Sequence, residues 1–449
     1  MQPRPGTTQR LARFVADTRW QDVPGSARQE AKRALLNFFA VALSGSRTGP
    51  VEIALKSLAE LTGSRQASVI GRSERVDALS AAFLNAASAN VFDFCDTHLP
   101  TVIHPTAPLA PALLALSELR IVTGTELLLA FTLGFEIECR IGRVMSPGHY
   151  AKGWHIASTC GVFGAAAGAG RLLGLTEQKL VWALGNAATQ SSGLCECLGW
   201  PAKSISVGNA ARNGLWAALL ADKGFEGPPE PLAGVQGFFN AMGEPPKWEA
   251  ITEGWGESWE IMQNSIKPYP CGFVIHPFLD GVLDWRRTHK GARIERIVLT
   301  GNPLLGDRTD RPEITTGREA QVSVQHAVAA ALVFGRAGVE EFTDACAQNP
   351  DVIAIRRKVE VRRDPAIATI AGHIEIWTGD GNKHSLAIAA TRGSPANPMT
   401  DADIEMKLRT AAATRIAEQQ TQLLIDGVWG LEACQDASAL ARLAVPERS

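Results

Sequence analysis

Residues 89–116, ANVFDFCDTHLPTVIHPTAPLAPALLAL, enclose a polar knot in an apolar helical frame. Asp93, Asp96, Thr97, His98 and His104 fall within twelve positions of one another. The alanine-rich run 77–90 before them and the leucine-rich run 109–119 after them read as helices. Pro100, Pro105, Pro108 and Pro111 interrupt the polar part, and each proline steers the residue before it away from the α region. The reading is a stiff, non-helical loop between two helices. Carboxylates and imidazoles beside a core segment are costly unless they are paired or used. Loops anchored on rigid elements often carry chemistry, so the stretch is read as half of an active site.

Working outward, the frame is mainly α. Residues 7–45 read as two helices separated by Pro24-Gly25-Ser26, and 51–61 and 125–144 are further helices. GHYAKGWHIASTCGVFGAAAGAGRLLGL, residues 148–175, carries Gly161, Gly164, Gly168 and Gly170. Each glycine costs a helix about 1 kcal/mol, which is sensible only where the helix presses closely on its neighbours. His155 stands just before it, with Ser158 and Thr159 available as caps. Residues 178–188 and 207–222 are the last helices of this half, with PAKSISVGNAARNG (201–214) at the entry of the second. From about residue 268 strand-like alternation begins, at 294–300, 359–361, 374–377 and 385–390, with helices at 322–335 and 352–358 between. Beyond Pro398 the pattern returns to helix. The expected organisation is a large all-helical domain, 1–267 with 399–449, and a smaller α+β domain, 268–398.

A net charge of −2 supplies no global field for nucleic acid or an anionic membrane. Any anionic ligand must therefore be held by local positive groups. The eight cysteines are scattered without a CxxC pair, which fits free thiols in a reducing compartment. The N-terminal segment shows no apolar core of a signal peptide, and the most apolar run, 156–170, is too short to span a bilayer. The expectation is a cytoplasmic protein.

Candidate functional groups come from four separated segments. Asp93, Thr97 and His104 belong to the opening loop, and Tyr150 and His155 precede the glycine-rich helix. Lys203 precedes the helix of 208–222; Lys267, Tyr269, Cys271 and His276 lie in SIKPYPCGFVIHP, 265–277. Singly, each has a plainer explanation. A lone histidine at a helix start is commonly a cap or a satisfied core group, and Asp93 suits an N-cap or a partner for Arg140 or Arg143. Asp96 and His98 read as structural or solvated. Lys203 is the less expected placement, because the helix dipole disfavours a cation there. The spacings fit no zinc template, GAAAGAG does not follow a strand as a dinucleotide fingerprint requires, and G-x-S-x-G is missing.

Taken together, DFCDTH…HP, HYAKGWHIASTCGVFGAAAGAGRLLGL, K-x4-GNAARNGLWAALLA-x2-GFEGP and KPYPCGFVIHP resemble the MmgE/PrpD family over almost the whole chain. That group includes 2-methylcitrate dehydratase, cis-aconitate decarboxylase and iminodisuccinate epimerase. The resemblance implies an all-helical domain closed by the C-terminus, an α+β lid domain, a homodimer, and an active site without cofactor for a small polycarboxylate. Carried over by motif, the site holds Asp93, Thr97, His104, His155, Lys203 and His276. Two departures stand out: the family often reads K-x-x-H-x-G where this chain has Lys203-Ser204-Ile205-Ser206-Val207-Gly208, and it tends to have tyrosine where His326 stands. The shared step of such enzymes is proton removal next to a carboxylate, which needs a base and fixed positive charge. Lys203, His155, Tyr150, Asp93 and His104 are expected to do the chemistry, with Thr97, His276, Lys267 and His326 on the substrate and no metal. A Tyr150/His155 pair facing Lys203 favours an epimerase, with dehydratase or decarboxylase as the lyase alternatives. A non-catalytic binding protein on the same fold is the rival of another class.

Overall fold

The computed structural model describes residues 6–61, 63–243 and 247–447; the first five residues of the N-terminal segment read above lie outside them. The chain divides into two compact units. Met1–Val91, Cys95–Asn264 and Thr400–Ser449 form the first, and Phe92–Phe94 with Ser265–Met399 form the second.

The first unit is helical: α1 (Thr7–Asp17), α2 (Gly25–Gly45), α3 (Gly49–Ala59), α4 (Ala78–Asn90), α5 (Thr106–Ser117), α6 (Gly124–Met145), α7 (Ile156–Leu172), α8 (Glu177–Ala188) and α9 (Ala202–Asp222). Its start signals are chemical. Asp77 caps α4 by accepting from the Ser80 N–H, and Thr123 with Glu126 forms a capping box on α6. Two expectations are corrected here. Helix α5 begins at Thr106 and takes Pro108 and Pro111 inside it. Pro108 sits in the first turn, where its missing N–H would have had no intrahelical partner. Pro111 is tolerated because every residue of α5 is buried, so packing outweighs one lost backbone bond. Helix α9 likewise starts at Ala202, so Lys203 lies on its first turn rather than ahead of it.

Glycines let the helices touch. A Cβ on Gly134 of α6 would lie 2.7 Å from the Gly164 carbonyl of α7, and one on Gly164 would lie 2.9 Å from the Gly134 carbonyl. A Cβ on Gly214 of α9 would come within 2.6 Å of the Val162 carbonyl. Beneath the first contact lies Glu138, fully buried, with no hydrogen-bond partner for either carboxyl oxygen among the described residues.

The second unit packs α10 (His276–Thr288) and α11 (Val324–Phe334) with a four-stranded sheet. The strands are β1 (Ile294–Gly301), β2 (Val359–Arg363), β3 (Gly372–Thr378) and β4 (Lys383–Ile388), in the order β2-β1-β3-β4. β1 runs parallel to β2, with Ile297 opposite Val359, and antiparallel to β3, with Ile297 opposite Ile376. β3 alternates buried and half-buried residues, and a Cβ on Gly281 of α10 would lie 2.5 Å from Ile374 on its inner face. Two further helices, α12 (Asp401–Ala412) and α13 (Glu418–Trp429), return to the first unit. The fold is mainly α with a smaller α+β unit, as the sequence reads. No helix among the described residues is long and apolar enough to cross a membrane.

Burial, and then the nearby Asp96 charge, push the Glu138 carboxyl well above the usual range. The folded protein therefore keeps a proton that the unfolded chain releases as pH rises past the ordinary glutamate value, so this group lowers stability toward high pH. Glu138→Gln should gain thermal stability over wild type as pH is raised from 5 to 8, by up to about 1.4 kcal/mol per pH unit. Melting curves at a series of pH values check this, and parallel profiles for the two proteins would refute it.

Candidate active site

In the first unit the sequence candidates gather at one end of the helices. The Ser204 hydroxyl, on the first turn of α9, lies 3.5 Å from Asn90 Oδ1 at the last residue of α4. Ser206 of α9 lies 3.3 Å from the ring of His155, the N-cap residue of α7. A Cβ on Gly161 of α7 would be 2.5 Å from Pro108, in the first turn of α5. The N-termini of α5, α7 and α9 thus converge with the C-terminus of α4. His104 lies just ahead of α5, His155 occupies the N-cap position of α7, and Lys203 is the second residue of α9. Helix N-termini carry partial positive charge and orphan N–H groups, so this end of the unit favours carboxylates.

His104 is oriented by backbone. Its Nδ1 lies 2.8 Å from the Asp96 carbonyl, which only accepts, so Nδ1 carries the proton. The Thr97 hydroxyl stands 3.2 Å from the same Nδ1. Asp96 and His98 are structural and fully buried. Thr106 donates to the Asp96 carboxylate, as does Asn264 at 2.9 Å. His98 Nε2 is 3.0 Å from Glu260, and Arg143 donates to the same carboxylate at 2.8 Å. Burial opposes charge on Glu260, yet His98 and Arg143 beside it hold its carboxyl down at about 2.

His155 and Lys203 are both buried. His155 Nδ1 is 2.8 Å from Ser158 Oγ, which donates to Ser206 Oγ at 2.7 Å; Ser206 in turn donates to the Lys203 carbonyl at 2.8 Å. Tyr150 lies on the short helical turn Gly148–Ala151, half-buried, with its ring packed on the helical core.

The second unit holds the other candidates. Asp93 has φ 52°, the left-handed region that few non-glycine residues adopt and that aspartate tolerates better than most. Lys267 Nζ donates to the Asp93 carbonyl at 2.9 Å and lies 3.2 Å from its carboxylate, with the lysine side chain 1% exposed. Arg140 and Arg143, which the sequence offers as partners for Asp93 beside an N-cap role, bind carboxylates and carbonyls within the first unit. Arg140 binds Glu136 and the carbonyls of Ile251 and Glu253, and Arg143 binds Glu253 and Glu260. His276 is the first residue of α10; its Nε2 donates to the Cys271 carbonyl at 3.3 Å between the rings of Tyr269 and Phe273. Tyr269 donates to Asp280 at 2.7 Å. His326 is fully buried, with Nε2 2.7 Å from the Glu341 carbonyl. Burial, with Arg356 adding to it, holds that ring down at about 4, so it is a neutral imidazole at physiological pH.

A profile of the MmgE/PrpD N-terminal domain matches residues 9–251, and one of the MmgE/PrpD C-terminal domain matches residues 269–431. The chain belongs to the MmgE/PrpD family. Membership makes it an enzyme of the isomerase or lyase kind. Among curated MmgE/PrpD relatives, a cis-aconitate decarboxylase-like protein of Aspergillus oryzae is 27% identical over 98% of this chain and 98% of that protein. The cis-aconitate decarboxylase of Aspergillus terreus is 28% identical over 98% of this chain and 96% of its own. The human cis-aconitate decarboxylase is 28% identical over 92% and 89%.

Sequence reasoning missed the serine chain behind His155, the Asp96 carbonyl behind His104 and the Asp93–Lys267 pair. Ser158 was visible only as a cap, and Ser206 only as the place of an absent histidine. Lys267→Met should destabilise the protein by about 3–5 kcal/mol, because it leaves a largely buried carboxylate without its cation. The double variant with Asp93→Asn should recover a measurable part of that loss. Denaturant midpoints of the four proteins check it; strictly additive losses would remove the pair as the explanation.

Proposed function

We propose that this enzyme is a cofactor-independent lyase for a small unsaturated polycarboxylic acid of the cis-aconitate kind, releasing CO2 and adding a proton next to a remaining carboxylate. The observation that carries the reading is the convergence of three helix N-termini with His104, His155 and Lys203 at one end of the helical unit. The names of the MmgE/PrpD relatives support decarboxylation over the isomerase reading.

The chemistry balances without an added electron sink. In a β,γ-unsaturated acid, the C–C bond to the departing carboxylate breaks, and its electron pair forms a new double bond. The old π pair moves onto the carbon beside another carboxylate, where one proton is taken up. Negative charge develops on that carboxylate's oxygens, so fixed positive charge that is stronger for the transition state than for the substrate speeds the step. Lys203 and the helix N-termini supply it, and the Nε2 of His155 or of His104 delivers the proton.

Incubation with cis-aconitate in D2O should release CO2 and place one deuteron next to a carboxylate, read directly by NMR. Lys203→Ala and His104→Ala should each lose ~100-fold or more in kcat/KM. Inversion without CO2 loss would restore the isomerase reading, and inertness toward every di- and tricarboxylate tested would overturn the proposal.

We infer in the same way that the working form is a homodimer. Trp200, Ile205 and Trp216, 67%, 45% and 42% exposed, support an apolar contact, since Ile205 and Trp216 share one face of α9. Sedimentation velocity should give twice the 48.0 kDa chain mass, with Trp216→Glu shifting the species toward monomer.

A further inference from the structure

The position at which the family pattern carries a histidine is Ser206 here, and its hydroxyl is the middle of a directed chain. The Lys203 carbonyl can only accept, so the Ser206 proton points to it at 2.8 Å. Ser206 Oγ must then accept from Ser158, at 2.7 Å, which commits the proton of Ser158 as well. With both protons committed, Ser158 Oγ at 2.8 Å and Ser206 Oγ at 3.3 Å face His155 Nδ1 as acceptors only, and Nδ1 must bear hydrogen. The serines meet because the opposing loop carries no side chain at Gly193. Gly193 has φ 137°, and a Cβ there would lie 2.9 Å from Ser158 Cβ and 3.2 Å from Ser206 Cβ. Its carbonyl also accepts the His155 backbone N–H at 3.0 Å, which fixes the residue's entry into α7.

We propose that Ser206, acting through Ser158, is a positioning residue that locks His155 in the Nδ1–H tautomer, so that Nε2 alone exchanges the proton with the substrate carbon. The lock holds in both protonation states, because the imidazolium also donates from Nδ1 to the same serine. Replacing Ser206 frees the Ser158 hydroxyl to turn and donate to Nδ1, which moves the ring proton to Nε2. A histidine in that place would lack this one-proton logic, since its ring presents a donor and an acceptor together. The assignment of Nε2 to the substrate rests on the proposed lyase reading; the tautomer lock does not.

The test uses the full chain labelled with 15N-histidine, with His155 assigned through His155→Asn. Wild type should show a protonated Nδ1 and a bare Nε2 in long-range 1H–15N correlation spectra. In Ser206→Ala the bare nitrogen should become Nδ1 in whole or in part, and kcat with cis-aconitate should fall about tenfold or more with KM within about twofold. Ser206→Thr, which keeps the hydroxyl, should restore both. An unchanged His155 tautomer in Ser206→Ala overturns the lock whatever the activity does. A shifted tautomer with undiminished kcat overturns the role of Nε2. A wild type inert toward cis-aconitate that still shows the tautomer shift supports the lock and overturns the lyase reading instead.

Discussion

Where Gly134 meets Gly164, and where Gly214 meets the Val162 carbonyl, nothing larger than hydrogen fits between one helix and the backbone of the next. That closeness holds α6, α7 and α9 in one arrangement, because interiors at crystal-like density do not slide. Everything at the end of the bundle inherits its position from these contacts. His155 is placed by the start of α7, Lys203 by the first turn of α9, and His104 by the entry to α5. The helices also aim their N-termini at one another's neighbourhood. Mutual repulsion of partial positive charges is a cost there unless an anion is bound.

The polar groups of the site are held by oxygen atoms that leave them one way to behave. Backbone carbonyls at Asp96 and Lys203 accept and never donate, so hydrogen bonds to them set the direction of each proton nearby. His104 is fixed in a single step and His155 through two serines. In the second unit the same economy appears as charge pairing, with Lys267 clasping both the carbonyl and the carboxylate of a left-handed Asp93. Such a backbone conformation persists only where the surroundings over-determine it.

Much of this was legible in the residues. The 89–116 stretch, the glycine-rich run and the KPYPC segment named the family, and the change of texture after residue 268 named the α+β unit. The reading failed where local preference lost to packing. Pro108 and Pro111 argued for loop, but α5 is buried on every face and continues through them. Residues 202–206 lacked an apolar stripe, yet they are helical because the turn carrying Lys203 and Ser206 binds its own carbonyls and its neighbours' side chains.

Composition, periodicity and motif order therefore determined a mainly helical chain with an α+β insertion, its family, and the identities of the histidines and lysine to watch. They did so because helix burial repeats every few residues and is written locally. Tertiary structure alone decided which nitrogen of His104 and of His155 carries the proton, which cation answers Asp93, and why Glu138 holds its proton to higher pH than an ordinary glutamate. Each depends on which atoms the fold brings together, eight residues apart in the chain for His104 and Asp96, 51 for His155 and Ser206 and 174 for Lys267 and Asp93, or on the removal of water, and none of this is written at the residue itself.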